Sequence, residues 1–255
     1  MTQPTAALII IGNEVLSGRT QDANLKFIAT RLGEVGIPLR EARVIPDVPE
    51  TIINTVNELR ARFTYVFTTG GIGPTHDDIT SECVARAFGV PWEVHEPSRA
   101  IMEADYARRT PPVEMNAARL RMATLPRGAE PILCSETSAP GFRMENVYVM
   151  AGVPRIMRSM FEVVAPTLQG GTPVKSRALH AHGLLEGQIA AGLSAIQDRY
   201  PTLDIGSYPY YRESGNGVAL VAKGTDEAAL EAAAQEIAAL IRADGKEPME
   251  GEPAT

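Results

Sequence analysis

The segment Thr68-Thr69-Gly70-Gly71-Ile72-Gly73-Pro74-Thr75-His76-Asp77-Asp78-Ile79-Thr80 joins closely spaced glycines to a pair of aspartates, with no Lys or Arg between. Glycines at this spacing let backbone N–H groups approach a phosphate, and a following helix N-terminus favours negative charge. The pattern is not a Walker loop, because no Gly-Lys-Ser/Thr follows, and its glycine spacing is not that of the dinucleotide fingerprint. A carboxylate about 4 Å from a phosphate costs on the order of 4 kcal/mol per unit pair at an effective dielectric of about 20. A divalent cation bridging carboxylate and phosphate oxygens removes that conflict. The competing reading makes Asp77 and Asp78 caps of the next helix, helped by Thr80. His76 is either an acid/base or a solvent-facing side chain.

Gly12-Asn13-Glu14-Val15-Leu16-Ser17-Gly18-Arg19 is a second polar stretch ending an apolar run. Glu14 offers a further metal ligand, and Ser17 and Arg19 could hold a phosphate or a ring; a plain polar turn is the alternative. Asp47 falls at the same expected edge, either at the site or capping the helix that opens at Pro49. Ser138-Ala139-Pro140-Gly141-Phe142 and Ala151-Gly152-Val153-Pro154 read as tight turns that could floor a pocket, with Arg143 as a cation or a solvated side chain. His180 and His182 are assigned to opposite faces of a strand, and Cys83 to the core.

The elements that must position these residues alternate. Ala6 to Ile11, Leu39 to Ile45 and Tyr65 to Thr69 read as buried strands. Leu25, Ile28, Ala29 and Leu32, then Ile52, Ile53, Val56 and Leu59, follow helical spacing, with Asp22 and Asn24 as caps of the first helix. Ser81 to Phe88, Ser98 to Arg108 and Glu114 to Met122 are expected helices, and Ala129 to Leu133 and Val147 to Met150 strands. Pro154 opens a further helix. This order predicts an α/β fold with a mostly parallel sheet between helices. In such sheets ligands bind at the carboxyl ends of the strands. A boundary is placed near Gly170-Gly171, giving a domain over 1–169, a small α+β module over 170–243 and a mobile tail over 244–255.

The chain has 255 residues, 24 Lys+Arg against 31 Asp+Glu and a net charge of −7, which argues against a nucleic-acid partner. Two cysteines build neither a disulfide framework nor a zinc site, so a cytoplasmic location is expected. No early apolar run is long enough for a signal or a membrane span.

Taken together, Gly12 to Gly18, Thr69 to Thr80 and Gly152-Val153-Pro154 resemble the molybdopterin-binding (MoaB/Mog-type) domain. The doubled Asp, the Asn116 to Ala129 segment and Ala139 to Phe142 are closer to the competence/damage-inducible protein A branch. The resemblance implies a three-layer α/β/α fold with its pocket at the strand carboxyl edge. It extends the candidate site to Gly12, Glu14, Ser17, Gly18, Asp47, Thr69, Gly70, Gly71, Gly73, Pro74, Thr75, Thr80, Gly141, Gly152 and Pro154. By matched position Asp78 corresponds to the loop Asp of pterin-adenylylating relatives, Asp47 to a second acidic residue, and Asp77 is an addition of the branch. Asn13 departs from the Asp or Thr usual there. No nicotinamide-mononucleotide deamidase domain follows in this sequence, and that activity is not carried over. The resemblance implies a small-molecule nucleotide or pterin phosphate as ligand, and a homo-oligomer. The expectation is a metal-dependent nucleotide pyrophosphatase acting on ADP-ribose- or FAD-like diphosphates. Asp77 and Asp78 are its catalytic residues, and with Glu14 they hold Mg²⁺, Mn²⁺ or Co²⁺. The alternatives are a pterin-phosphate binding or adenylylating protein of molybdenum-cofactor synthesis and a non-catalytic nucleotide-binding module.

Overall fold

The computed structural model describes residues 3–212 and 215–253, so the expectations for the first and last two residues lie outside the described residues. The chain forms two units, divided between Gly171 and Thr172.

In the first unit, β1 (Ala6–Ile11) is followed by a single helical turn, α1 (Asn13–Leu16), and by α2 (Asn24–Glu34). Next come β2 (Leu39–Ile45), α3 (Pro49–Arg62), β3 (Tyr65–Thr69) and α4 (Thr80–Phe88). A short β4 (Trp92–Val94), α5 (Glu96–Arg108), α6 (Ala117–Arg121) and β5 (Thr124–Pro126) lead into β6 (Glu130–Cys134), β7 (Thr137–Met144), β8 (Val147–Met150) and α7 (Pro154–Val164). The main sheet has the order β2-β1-β3-β8-β7-β6. Its first four strands are parallel, while β7 runs antiparallel to both its neighbours, β8 and β6.

The continuous apolar run of β1 reflects burial on both faces. Ala6, Leu8 and Ile10 pack with Ile28 and Leu32 of α2 and with Met157, Met160 and Phe161 of α7. Ala7, Ile9 and Ile11 pack on the other side with Ile52, Val56 and Leu59 of α3 and Cys83 and Val84 of α4. The result is the three-layer α/β/α arrangement. Register then sets the site: Ile10 lies opposite both Val44 and Thr69, and Thr69 opposite Met150. The loops that begin at Gly12, Pro46, Gly70 and Ala151 therefore leave the sheet at one edge.

Three local expectations need correction. The segment around Pro140 and Gly141 is no turn but part of β7: Gly141 pairs with Ile132 of β6, and Phe142 with both Pro131 of β6 and Val149 of β8. The helix expected from Glu114 shrinks to Ala117–Arg121, where Asn116 Oδ1 accepts from the Arg119 N–H and fixes the start. The polar turn after Gly12 winds one helical turn.

The second unit contains β9 (Lys175–His182), α8 (Glu186–Arg199), β10 (Asp204–Arg212), β11 (Gly215–Gly224), α9 (Glu227–Ala243) and β12 (Met249–Glu250). Its sheet order is β10-β11-β9-β12, antiparallel throughout. The stretch expected as a mobile tail thus adds a strand to the sheet, and the Gly251 N–H also donates to Ala178 O. His180 and His182 share one face, with ring centroids 6.1 Å apart, which corrects the opposite-face assignment. Residues two apart along a strand point the same way.

Candidate functional site

The loops after β1, β3 and β8, with Thr137, Ala139 and Pro140 of β7, border a cavity of about 520 Å³, lined by Gly70, Gly71, Ile72, Gly73 and Pro74 on one side and Ala151, Gly152, Val153 and Pro154 on the other. That volume suits a nucleotide-sized ligand. Two glycines are required by geometry. Gly70 has φ +101°, and a Cβ there would strike the Ile11 carbonyl. Gly71 has φ +68°, and a Cβ there would strike Thr80 Oγ1. Both lie where a side chain is strained.

Backbones also approach closely between loops. A Cβ on Gly152 would lie 3.2 Å from Gly70 Cα. Such approach puts main chain rather than side chains on this part of the cavity wall, while the Gly70 N–H itself donates to Met150 O.

The acidic residues have clear destinations. Asp78 Oδ2 accepts from the Thr75 N–H at 2.8 Å and from the Thr75 hydroxyl, so it folds back to close its own loop while lining the cavity. Asp77 stands exposed beside it, and the neighbouring Thr75 side chain holds its carboxyl below the usual range. Neither caps α4, whose N-cap is Ile79 with no side-chain bond. Asp47 likewise does not cap α3; its Oδ2 accepts from the Asn13 N–H at 2.8 Å and ties two edge loops together. Burial pushes the Asp47 carboxyl up first, and the charges of Glu14 and Asp77 push it further. Glu14 lines the cavity with its carboxylate 2.5 Å from where a Gly12 Cβ would be.

The expected metal set of Asp77, Asp78 and Glu14 does not converge. Among the described residues no three His, Cys, Asp or Glu side chains come close enough to enclose an ion. The physical reason is the capture of Asp78 by Thr75. Glu14 and Asp77 remain as carboxylates whose charges both reach Asp47. Carboxylate oxygens are donors of the kind a divalent cation takes.

Other expected residues sit apart from the cavity. Ser17 and Gly18 lie on the exposed loop, the Ser17 hydroxyl donating to Glu14 O, and Arg19 is exposed. Gly141 is packed inside β7, where a Cβ would lie 2.5 Å from Val149 O and 3.0 Å from Met160 Sδ, so it does not bind ligand directly. Thr80 is fully buried under Gly71. His76 is almost wholly exposed, and the Arg143 guanidinium donates to Glu145 O.

Sequence reasoning missed Arg121, and it expected Asn24 only as a cap. Arg121 Nη2 donates to Asp78 O across 43 residues of chain, 3.1 Å away, and its guanidinium faces the Trp92 ring at 5.2 Å. It braces the aspartate loop with a cation that the loop itself lacks. Asn24 turns inward from the first turn of α2, and its Nδ2 donates to Gly152 O at 2.9 Å. The capping work falls to Asp22 alone, whose Oδ1 accepts from the N–H groups of Asn24 and Leu25. No local pattern marks either inward turn.

Comparison with known proteins agrees with this architecture. Residues 7–170 match the family described as "probable molybdopterin binding domain", and residues 173–249 match "FAD synthase, middle domain". A protein of Pyrobaculum calidifontis is 34% identical over 81% of this chain and 81% of its own length. A CinA-like protein of Myxococcus xanthus is 29% identical over 89% of this chain, which spans 56% of that relative. The crystal structure of the protein CinA, of unknown function, from Thermoplasma acidophilum superposes with a TM-score of 0.60 at 28% identity, covering 65% of this chain and 98% of that one. No helix among the described residues is long and apolar enough to cross a membrane. With its cavity on the matched segment, the chain belongs to the probable molybdopterin binding domain family and has CinA-like relatives.

Proposed function

We propose that this protein is a divalent-metal-dependent nucleotide pyrophosphatase acting on ADP-ribose- or FAD-like diphosphates. The observation that carries the reading is the cavity wall itself: backbone from Gly70 to Gly73 and at Gly152, with carboxylates at its border and no Lys or Arg lining it. Phosphates held by uncharged main chain beside Glu14 and Asp77 need an added cation. Bound there, Mg²⁺, Mn²⁺ or Co²⁺ would neutralise the diphosphate and make a water more acidic.

The chain's own groups do the rest. The glycine loop orients the diphosphate, and Arg121 holds the loop through Asp78 O. Water attacks one phosphorus, the bond from that phosphorus to the bridging oxygen breaks, and the oxygen leaves with its electron pair on the second phosphate. Asp77, open to solvent, takes the water's proton. With ADP-ribose the products are AMP and ribose 5-phosphate. The test incubates purified protein with ADP-ribose or FAD, with and without each cation, and identifies products by chromatography. Cation-dependent AMP release that falls at least about 100-fold in Asp77→Asn supports the reading. Unchanged turnover in that variant refutes it.

The similarity to a molybdopterin-binding family favours a second reading, a protein that binds or adenylylates a pterin phosphate in the same cavity. Formation of an adenylylated pterin from ATP, with no diphosphate cleavage, would select it.

A further inference from the structure

The sheet of the second unit carries its helices on one face, where Ala181, Val218, Leu220 and Ala222 pack with Ile189 of α8 and Leu230 of α9. Alternate residues stand on the opposite face, His180 and His182 of β9 among them. Their partners on β11 are Ala219 and Gly217, which are too small to fill the space above the strand.

Each imidazole has one nitrogen engaged. His180 Nδ1 lies 2.8 Å from Gly251 O; a carbonyl only accepts, so Nδ1 carries the proton and, in the neutral ring, Nε2 keeps its lone pair. His182 Nδ1 lies 3.1 Å from the Tyr210 hydroxyl, which can accept in the same way. Among the described residues no partner engages either Nε2. A histidine whose Nδ1–H is held by an oxygen is the form that binds metal through Nε2. The spacing agrees. With Nε2 about 2.1 Å from an ion, each ring centre lies about 3.2 Å from it, so two rings share an ion only within about 6.4 Å. The two ring centroids are 6.1 Å apart. Tetrahedral spacing is about 1 Å closer, which the exposed His182 side chain can supply by a small turn.

We infer that His180 and His182 form a two-imidazole site for a borderline divalent transition metal, Cu²⁺, Ni²⁺ or Zn²⁺, the ions that imidazole suits. The described residues bring no third His, Cys, Asp or Glu to it, so water completes the shell and leaves the ion open to a further ligand. The carboxylates around the large cavity, which offer only oxygen, suit harder ions. Occupancy also bears on the fold. The metal and Gly251 O require the same tautomer of His180, so binding tightens the tie between β9 and the end of β12.

The test adds Cu²⁺, first in the affinity order for such ligands, to the full chain, with calorimetry reading affinity and electron paramagnetic resonance reading the ligands. Wild type is expected to show nitrogen splitting from two imidazoles. His182→Gln should bind at least about tenfold more weakly and show one imidazole. That residue faces solvent, so the variant should keep the wild-type far-UV circular dichroism. Exchange of the Gly251 N–H, which donates to Ala178 O, should slow several-fold on metal addition in wild type and stay unchanged in His180→Gln. A wild-type spectrum without two imidazoles overturns the site, as does unchanged affinity and splitting in His182→Gln. Exchange at Gly251 that ignores a filled site overturns the tie to β12.

Discussion

Substituting Gly71 by alanine tests the claim that the glycine loop is shaped by one buried contact. Two costs combine. At φ +68° an Ala sits in the left-handed region, which costs about 1–2 kcal/mol. Its Cβ is also driven onto Thr80 Oγ1, at the first residue of α4, and overpacking of this kind costs about 1–3 kcal/mol. Gly71→Ala should therefore destabilise by about 2–5 kcal/mol in urea denaturation. The Thr80 hydroxyl has no hydrogen-bond partner, so removing it forfeits no bond. Thr80→Ala alone should cost about 1 kcal/mol, as for loss of a small buried group. In the double variant the contact with Oγ1 is gone, leaving the backbone strain and a tight approach of 3.2 Å to the Cβ of residue 80. The double-mutant cycle should show a favourable coupling of about 1–3 kcal/mol. Gly70→Ala supplies the contrast, because its Cβ meets the Ile11 main chain, which no side-chain truncation removes. Additive behaviour of Gly71→Ala and Thr80→Ala would refute the reasoning, as would rescue of Gly70→Ala by the same Thr80 truncation.

Asp47→Asn should raise the Tm of metal-free protein at pH 7 by about 1–3 °C, since Asn can still accept from the Asn13 N–H while the repulsion from Glu14 and Asp77 is lost. The sign follows from the raised carboxyl: the folded state holds its proton more tightly than the unfolded chain, so the wild-type penalty appears as pH rises through the folded value. The gain should vanish below the ordinary Asp range near pH 4, as read by thermal melts across pH. Arg121→Gln should weaken ADP-ribose binding about fivefold through a looser aspartate loop, with far-UV circular dichroism unchanged. Cys83, buried and pushed up to about 11, should resist a thiol reagent at pH 8 until denaturant is added, which mass spectrometry of labelled peptides would show.

The sequence by itself determined the alternation of strands and helices in the first unit and the edge at which the site lies. Both follow from short-range causes: the apolar run of Ala6 to Ile11 demands burial on two faces, and Ile28 and Leu32 lie on one stripe. It also marked the glycine loop, because φ values of +68° and +101° are ones that glycine alone adopts without strain. Tertiary structure decided where the polar side chains went. Asp47 and Asp78 each had a helix N-terminus close by in sequence, yet one bonds Asn13 and the other Thr75. Asn24 turned from cap to inward tether, and Arg121 reached Asp78 from a distant helix. The strand at Thr137–Met144 accommodates Pro140 where the pairing with β6 shifts register between Ile132 and Cys134, so no ladder bond is asked of its missing N–H. Periodicity is written in adjacent residues, whereas a hydrogen-bond donor can be claimed by any acceptor the fold brings within 3 Å, and that competition is settled only after the layers have packed.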